Sequence, residues 1–169
     1  MEKRKSIRLP EYDYSQNSAY FVTVCTHERK HILGSVNAQG DNGNVPNNSV
    51  GADIIRPPVT LTETGLLVQE CISRINMIYP AVFVDKYVIM PNHIHLLLSI
   101  DNSCGRMISA PTLSRVVGQM KRAVSKNAGF GVWQKSFYEH IIRNERDYLE
   151  IWQYIDSNPY KWAEDEYNT

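Results

Sequence analysis

Two histidines separated by a single residue are the clearest candidates for chemistry in this sequence. They are His93 and His95, in the run 93–100 (HIHLLLSI). Residues two apart in a β-strand project from the same face, so both imidazoles would leave one face and aliphatic side chains the other. A pair of imidazoles is a natural bidentate arm for a divalent metal ion, but two ligands do not complete a metal site. The alternative is a pair of ordinary exposed or hydrogen-bonded histidines beside a turn.

A tyrosine and an asparagine one helical turn apart form a second candidate. They are Tyr154 and Asn158, in the segment 144–159, whose apolar stripe consists of Tyr148, Ile151, Trp152 and Ile155. At about 100° per residue, Tyr154 lies roughly 110° from the centre of that stripe, so it is not simply a core residue. The pair suits a phenolic nucleophile beside an oxygen ligand to a metal. The alternative is a surface tyrosine at the edge of the core, and Pro159 disfavours helical dihedral angles at Asn158.

Segments with strand-like and helical periodicity alternate along the chain. The strand-like segments are 19–26, 82–90, 93–100 and 137–143, and the helical segments are 62–78, 112–128 and 144–159. The order β-α-β-β-α-β predicts an α+β fold, namely a ferredoxin-like split βαβ antiparallel sheet with helices on one face. An added C-terminal helix would carry Tyr154. His140, in the apolar fourth strand, is expected to be a packed or hydrogen-bonded core residue.

The length and composition predict one domain. A chain of 169 residues, 43 % of them hydrophobic, can bury a core but is too short for two ordinary catalytic domains. Within a single domain 1–169 we expect a flexible insertion at 34–58, which is rich in Gly and Asn, and an acidic tail at 160–169. The 3 cysteines form no CxxC pair, which argues against a disulfide framework and a cysteine zinc site. No stretch reaches the length of a membrane span, and we expect a cytoplasmic protein.

Charge is segregated along the chain although its formal sum is zero. Residues 105–146 contain eight basic and two acidic residues, whereas residues 147–169 contain six acidic residues and one lysine. A zero sum argues against a protein that coats polyanions generally, but it does not exclude nucleic acid. The basic segment is either a phosphate-binding surface or an ordinary solvated helix face.

Three runs of residues resemble a known family. Residues 84–98 (VDKYVIMPNHIHLLL), 132–143 (VWQKSFYEHIIR) and 154–159 (YIDSNP) resemble the single-tyrosine HUH transposases, and in particular their REP-associated tyrosine transposase branch. The resemblance extends from residue 19 to about residue 162, with the motifs in the family's order. The insertion 34–58 departs from the family in looking longer than the family needs. Asn158 matches those branches that have Asn rather than Gln at the metal-binding position of the helix.

The resemblance implies an enzyme, a transposase. It would be a metal-dependent single-stranded DNA endonuclease and strand transferase, acting in DNA transposition or in the processing of chromosomal repeat hairpins. His93, His95 and Tyr154 would be catalytic, with Tyr154 forming a 5′-phosphotyrosine intermediate and leaving a free 3′-OH. His93, His95 and Asn158 would bind Mg²⁺ or Mn²⁺.

The resemblance also implies single-stranded or hairpin DNA as the partner, with nucleoid association when DNA is bound. Candidate DNA-binding residues are Lys3, Arg4, Lys5, Arg115, Lys121, Arg122 and Lys126. Whether the chain acts as a monomer, or as a homodimer that places one chain's tyrosine helix against the other's histidines, stays open. The alternative function is a hairpin DNA-binding protein without catalysis. A nucleotide hydrolase of the histidine-triad kind is disfavoured because Leu97 occupies the position of its third histidine.

Overall fold

A computed structural model describes residues 18–36, 59–101, 112–165 and 167–168. The strands are β1 (Ser18–Cys25), β2 (Gly34–Val36), β3 (Val59–Leu61), β4 (Val82–Ile89), β5 (His93–Ile100) and β6 (Tyr138–Ile142). The helices are α1 (Glu63–Ser73), α2 (Ile75–Ile78), α3 (Leu113–Ala128) and α4 (Glu145–Ser157). Two 3₁₀ segments complete the described secondary structure, His27–Arg29 and Asn158–Glu164. None of the helices in these ranges is both long and apolar enough to span a bilayer.

The main sheet has the strand order β4-β5-β1-β6, and each neighbouring pair is antiparallel. Strands β1 and β4 are therefore parallel to each other, with β5 inserted between them, and the chain passes through α1 to connect them. Strands β5 and β6 are likewise parallel, with β1 between them and α3 in the connection. This arrangement is two interleaved split βαβ units, so the predicted fold class is confirmed.

The two faces of the sheet are covered by different helices. Alternate residues of β5, such as Ile94 and Leu96, lie in a core with residues of α1 and α3. On the other face, Leu97 packs with Ile142 and Ile155, and the partly buried Trp152 packs against this second cluster. The C-terminal helix α4 therefore covers the face opposite α1 and α3. Because both faces are covered, nearly every residue of the central strand β5 is buried.

The helix starts are fixed by local capping side chains. Thr62 Oγ1 accepts a hydrogen bond from Gly65 N at 3.1 Å, and Asn144 Oδ1 accepts one from Asp147 N at 2.9 Å. Gly65 is further constrained by packing, since a Cβ there would lie 2.0 Å from the carbonyl oxygen of Leu33. The predicted helix 62–78 is divided, because Arg74 separates α1 from α2.

The predicted insertion begins in ordered structure. Strands β2 and β3 pair antiparallel, with Gly34 opposite Leu61 and Val36 opposite Val59. Residues 37–58, which make up most of the predicted insertion 34–58, lie outside the described residues. The predicted acidic tail 160–169 also starts inside a regular element, because residues 160–164 belong to the second 3₁₀ segment.

Lys121 of α3 is bonded within the protein. Its Nζ donates hydrogen bonds to three consecutive carbonyl oxygens, at 2.7 Å to Gln134 and at 3.3 Å to Lys135 and to Ser136. Burial lowers the pKa of Lys121 from its ordinary value. The Lys121 ammonium, which the sequence analysis assigned to DNA binding, therefore holds the loop that leads into β6.

We predict that Lys121→Met lowers the free energy of unfolding by about 1–2 kcal/mol, because three carbonyl groups lose a charged donor. For a chain of this size, each 1 kcal/mol corresponds to a change of roughly 2–4 °C in melting temperature. The matched control is Arg122→Met, since Arg122 is exposed on the same helix. Equal melting temperatures for the two variants would contradict a structural role for Lys121.

Candidate active site

Strand β5 brings the two imidazoles of the HxH motif together in the interior. His93 is 0 % exposed and His95 is 1 % exposed, and both lie on the face of the sheet that α4 covers. Their Nε2 atoms are 3.1 Å apart. Two imidazole nitrogens that bind one cation lie at about this separation, so the pair has the spacing of a bidentate metal ligand. The pair is therefore not a set of exposed histidines beside a turn.

Each imidazole is oriented through its other ring nitrogen. His93 Nδ1 lies 2.8 Å from Asn92 Oδ1, and Asn92 Nδ2 donates to the carbonyl oxygen of Tyr167. An amide oxygen can only accept, so the network assigns the ring proton of His93 to Nδ1 and leaves a lone pair on Nε2. His95 Nδ1 lies 2.9 Å from Thr23 Oγ1, directly across the β1–β5 ladder. Both contacts fix ring orientation, and the Asn92 contact also fixes the tautomer of His93, whereas the Thr23 hydroxyl can donate or accept.

Burial keeps both imidazoles neutral. The pKa of His93 is lowered to about 4, chiefly by desolvation; the nearby Asp165 opposes the shift, and Arg29 adds to it. Desolvation also lowers the pKa of His95 well below its ordinary value, and His93 adds to that effect. A neutral imidazole is the form that binds metal, so neither ring has to lose a proton at neutral pH before it can act as a ligand.

Tyr154 of α4 reaches the histidines of its own chain. Its hydroxyl oxygen is 3.4 Å from His95 Nε2, and its ring meets Phe21 edge-on with centroids 5.8 Å apart. Phe21 in turn stacks on His95 at 5.1 Å. The Tyr154 side chain is 39 % exposed, as the sequence-based placement beside the apolar stripe predicts. The phenol of Tyr154 therefore lies beside the two imidazoles, and its exposed part connects this site with solvent.

Asn158 lies one turn beyond Tyr154 and is 2 % exposed. Its Nδ2 donates to Asp165 Oδ2 at 2.9 Å, which fixes the orientation of the amide. Its Oδ1 is buried and has no hydrogen-bond partner in the described parts of the chain. The backbone of Asn158 is helical, with φ −56° and ψ −43°, because the chain continues as a 3₁₀ helix through Pro159. The expectation that Pro159 pushes Asn158 out of helical dihedral angles is therefore wrong.

The imidazoles of His93 and His95 and the amide of Asn158 fit a divalent cation that accepts mixed nitrogen and oxygen ligands. Among the described residues, no group of three or more His, Cys, Asp and Glu side chains is placed to hold a metal. A third protein ligand would therefore be an amide or hydroxyl oxygen. A buried oxygen without a partner costs about 1–3 kcal/mol, and Asn158 Oδ1 is such an atom. Two imidazole nitrogens and one amide oxygen suit Mn²⁺ well and leave positions for water or phosphate, as Mg²⁺ also requires.

The predicted DNA-binding residues that lie in the described ranges are on helix α3, away from this point. Helix α3 packs on the sheet face that carries Ile94, so Arg115, Arg122 and Lys126 belong to the layer opposite the histidine pair. Lys3, Arg4 and Lys5 lie outside the described residues. If α3 contacts DNA, it does so away from the candidate active site.

A cleft of about 590 Å³ opens between the sheet and α4. It is lined by Phe21, Thr23, His95, Tyr138, His140, Asp147, Ile151, Tyr154 and Tyr167. His140 is hydrogen-bonded, as one of the two expectations for it stated, but it is not a core residue, because its side chain is 43 % exposed. Its Nε2 lies 2.9 Å and 3.2 Å from the two carboxylate oxygens of Asp147. The signal in the sequence was the alternation of Tyr138 and His140 in β6, which places both side chains on the α4 face.

We predict that metal-free protein at neutral pH carries the His93 proton on Nδ1. Long-range ¹H–¹⁵N spectra of the histidine side chains would show an unprotonated Nε2. Asn92→Ala should abolish this preference, because the acceptor for Nδ1–H is removed. Asn76→Ala is the matched control, since the Asn76 amide bonds only to the Val82 carbonyl, away from His93. A proton on Nε2 in the wild-type protein would contradict the assigned network.

Comparison with known proteins finds two relatives in sequence. No family model matches the chain. A protein of uncharacterised function from Haemophilus influenzae is 32 % identical over 183 aligned positions, which cover 96 % of this chain and 92 % of the relative. A second protein from the same organism, named as a REP-associated tyrosine transposase, is 34 % identical over 82 positions, or 43 % of this chain and 47 % of that protein.

A similar fold is found in a solved structure. A solved structure of a REP-associated tyrosine transposase bound to a REP hairpin superposes with a TM-score of 0.61 at 21 % identity, covering 90 % of this chain and 74 % of that one. The resemblance drawn from the three sequence motifs is thus confirmed. The chain is similar to REP-associated tyrosine transposases, in part of its sequence and in its fold.

Proposed function

We propose that the protein is a metal-dependent single-stranded DNA endonuclease and strand transferase that uses Tyr154 as its nucleophile on hairpin DNA. The observation that carries this proposal is the 3.4 Å approach of the Tyr154 hydroxyl to His95 Nε2 within one chain. The REP-associated tyrosine transposase of similar fold, which was solved bound to a REP hairpin, supports hairpin DNA as the ligand. A protein that only bound DNA would have no need for this convergence of nucleophile and ligands.

The proposed reaction exchanges one phosphoester bond for another. The Tyr154 oxygen attacks the phosphorus of a phosphodiester, the bond from phosphorus to the 3′-oxygen breaks, and the 5′ phosphate remains on the tyrosine. The released 3′-oxygen takes up a proton. A 3′-OH can later attack the phosphotyrosine and reverse the exchange on another strand. Because the phosphoester energy is retained on the tyrosine, no nucleotide cofactor is needed.

The protein's own part is to orient the phenol and to supply ligands. Phe21 and His95 contact the Tyr154 ring, so the hydroxyl points to the space before the two Nε2 atoms. His93, His95 and Asn158 would hold Mg²⁺ or Mn²⁺ there. When bound, such a cation would polarise the phosphate and favour loss of the phenolic proton, whose ordinary pKa is about 10.

A site assembled from a single chain supports action without exchange of the tyrosine helix between subunits. Tyr154, His93 and His95 meet within one molecule, so a homodimer is not needed to complete the proposed site. We therefore infer that one chain is sufficient for the cleavage step.

We predict that wild-type protein forms a covalent adduct with a labelled single-stranded hairpin oligonucleotide in Mn²⁺, visible as a shifted band on a denaturing gel. Tyr154→Phe should reduce adduct formation by at least about 10³-fold, because the nucleophile is removed. Tyr160→Phe is the matched control, since Tyr160 is exposed in the following 3₁₀ segment. Hairpin binding without any adduct would support the non-catalytic alternative instead.

We also predict that Asn158→Ala weakens Mn²⁺ binding by at least about tenfold, measured by titration calorimetry, because an oxygen ligand is lost. His95→Gln should have an effect at least as large. Asn76→Ala, which removes an amide far from the histidines, should bind Mn²⁺ as the wild type does. Unchanged Mn²⁺ affinity in Asn158→Ala would exclude Asn158 as a ligand, while leaving the tyrosine mechanism to the adduct assay.

A further inference from the structure

The cleft continues well beyond the histidine pair. Along α4, Asp147 and Ile151 line the same wall as Tyr154, at spacings that place all three on one side of the helix. At about 1.5 Å rise per residue, Asp147 lies roughly 10 Å from Tyr154 along the helix axis. This separation is too large for Asp147 to touch the reacting atoms. The far end of the cleft is therefore placed for a nucleotide next to the scissile phosphate.

The far end is rich in hydrogen-bond acceptors. The Asp147 carboxylate can only accept, and its two oxygens engage His140 Nε2. That bond directs the imidazole proton to Nε2 and leaves His140 Nδ1 as an acceptor. Within the described residues, Nδ1 of His140 makes no hydrogen bond. The position of Asp147 in the first turn of α4 favours its negative charge.

An aromatic ring lies beside these acceptors. Tyr138 is two residues before His140 in β6, so both side chains project from the same face of the sheet. Tyr138 is 50 % exposed and lines the cleft. An exposed ring of this kind can stack on an unpaired base, which is the usual way that proteins hold single-stranded DNA.

We propose that Tyr138, His140 and Asp147 form a subsite for one unpaired base adjoining the cleavage position, and that the subsite selects bases with an exocyclic amino group. Tyr138 stacks on the base, while His140 Nδ1 and the Asp147 carboxylate accept from its amino group. Cytosine presents an N4 amino donor where uracil and thymine present an O4 acceptor. In the subsite, the O4 lone pair of uracil or thymine would therefore face the acceptors His140 Nδ1 and Asp147. This inference rests on the proposed function, because it assumes that the cleft receives single-stranded DNA.

The test compares two pyrimidine oligonucleotides that differ in the donors and acceptors of the base edge. Fluorescein-labelled 12-nucleotide oligodeoxycytidine and oligodeoxyuridine are titrated, by fluorescence anisotropy at low salt with Mn²⁺, into full-length Tyr154→Phe protein, which cannot cleave them. We expect oligodeoxycytidine to bind roughly 5- to 100-fold more tightly, the range of a good pair of base contacts. His140→Phe, which keeps an aromatic ring, and Asp147→Ala should each reduce this preference to below about twofold.

The matched control is Glu150→Ala, which removes the same charge from the same helix at a position that does not line the cleft. It should change the affinity for both oligonucleotides equally and retain the preference. Equal binding of the two oligonucleotides, no binding of either, or a preference that survives in folded His140→Phe and Asp147→Ala would each overturn the subsite. If the wild-type protein forms a covalent adduct but shows no base preference, only the subsite is contradicted. If it shows the base preference but forms no adduct, only the tyrosine mechanism is contradicted.

Discussion

The two-residue alternation of strand β5 is the constraint on which the rest of the structure depends. Ile94 and Leu96 face the core formed with α1 and α3, so His93 and His95 must face α4. Because β5 lies inside the sheet, a shift of one residue in its pairing would place both imidazoles in the aliphatic core. The hydrophobic core therefore sets the register, and the register sets the side on which the active site forms.

Burying two imidazoles is costly unless their polar atoms are bonded, and the neighbouring elements provide those bonds. Asn92 in the turn before β5 and Thr23 in β1 hold the two Nδ1 atoms, which leaves the Nε2 atoms for a ligand. The segment after α4 contributes as well. Asp165 accepts from Asn158 Nδ2 at 2.9 Å and from Tyr167 N at 2.8 Å. The C-terminal residues therefore support the site, although their sequence suggests only an acidic tail.

The sequence predicted those features that local rules determine. The order of strands and helices and the shared face of His93 and His95 follow from periodicity. Features that depend on distant contacts were not predictable. The internal bonding of Lys121 depends on a loop 13 to 15 residues away, and the exposure of His140 depends on where α4 leaves the sheet uncovered. The sequence also could not predict that α3 packs on the sheet face opposite the histidines, because this placement depends on how the helices pack on the sheet.

The distribution of charge favours recognition of a structured DNA over a short single strand. Neither lysine nor arginine is among the described residues that line the cleft, so the cleft itself offers little attraction to phosphates beyond a bound cation. The exposed cations of α3, such as Arg122 and Lys126, lie on the opposite layer of the sheet. Under the proposed function, a DNA molecule that reached both regions would have to extend around an edge of the sheet. Under this proposal, a hairpin with an unpaired flank would place its stem against basic residues outside the cleft while the flank enters it. Zero net charge is then compatible with selective DNA binding, since shape and base contacts replace a general excess of positive charge.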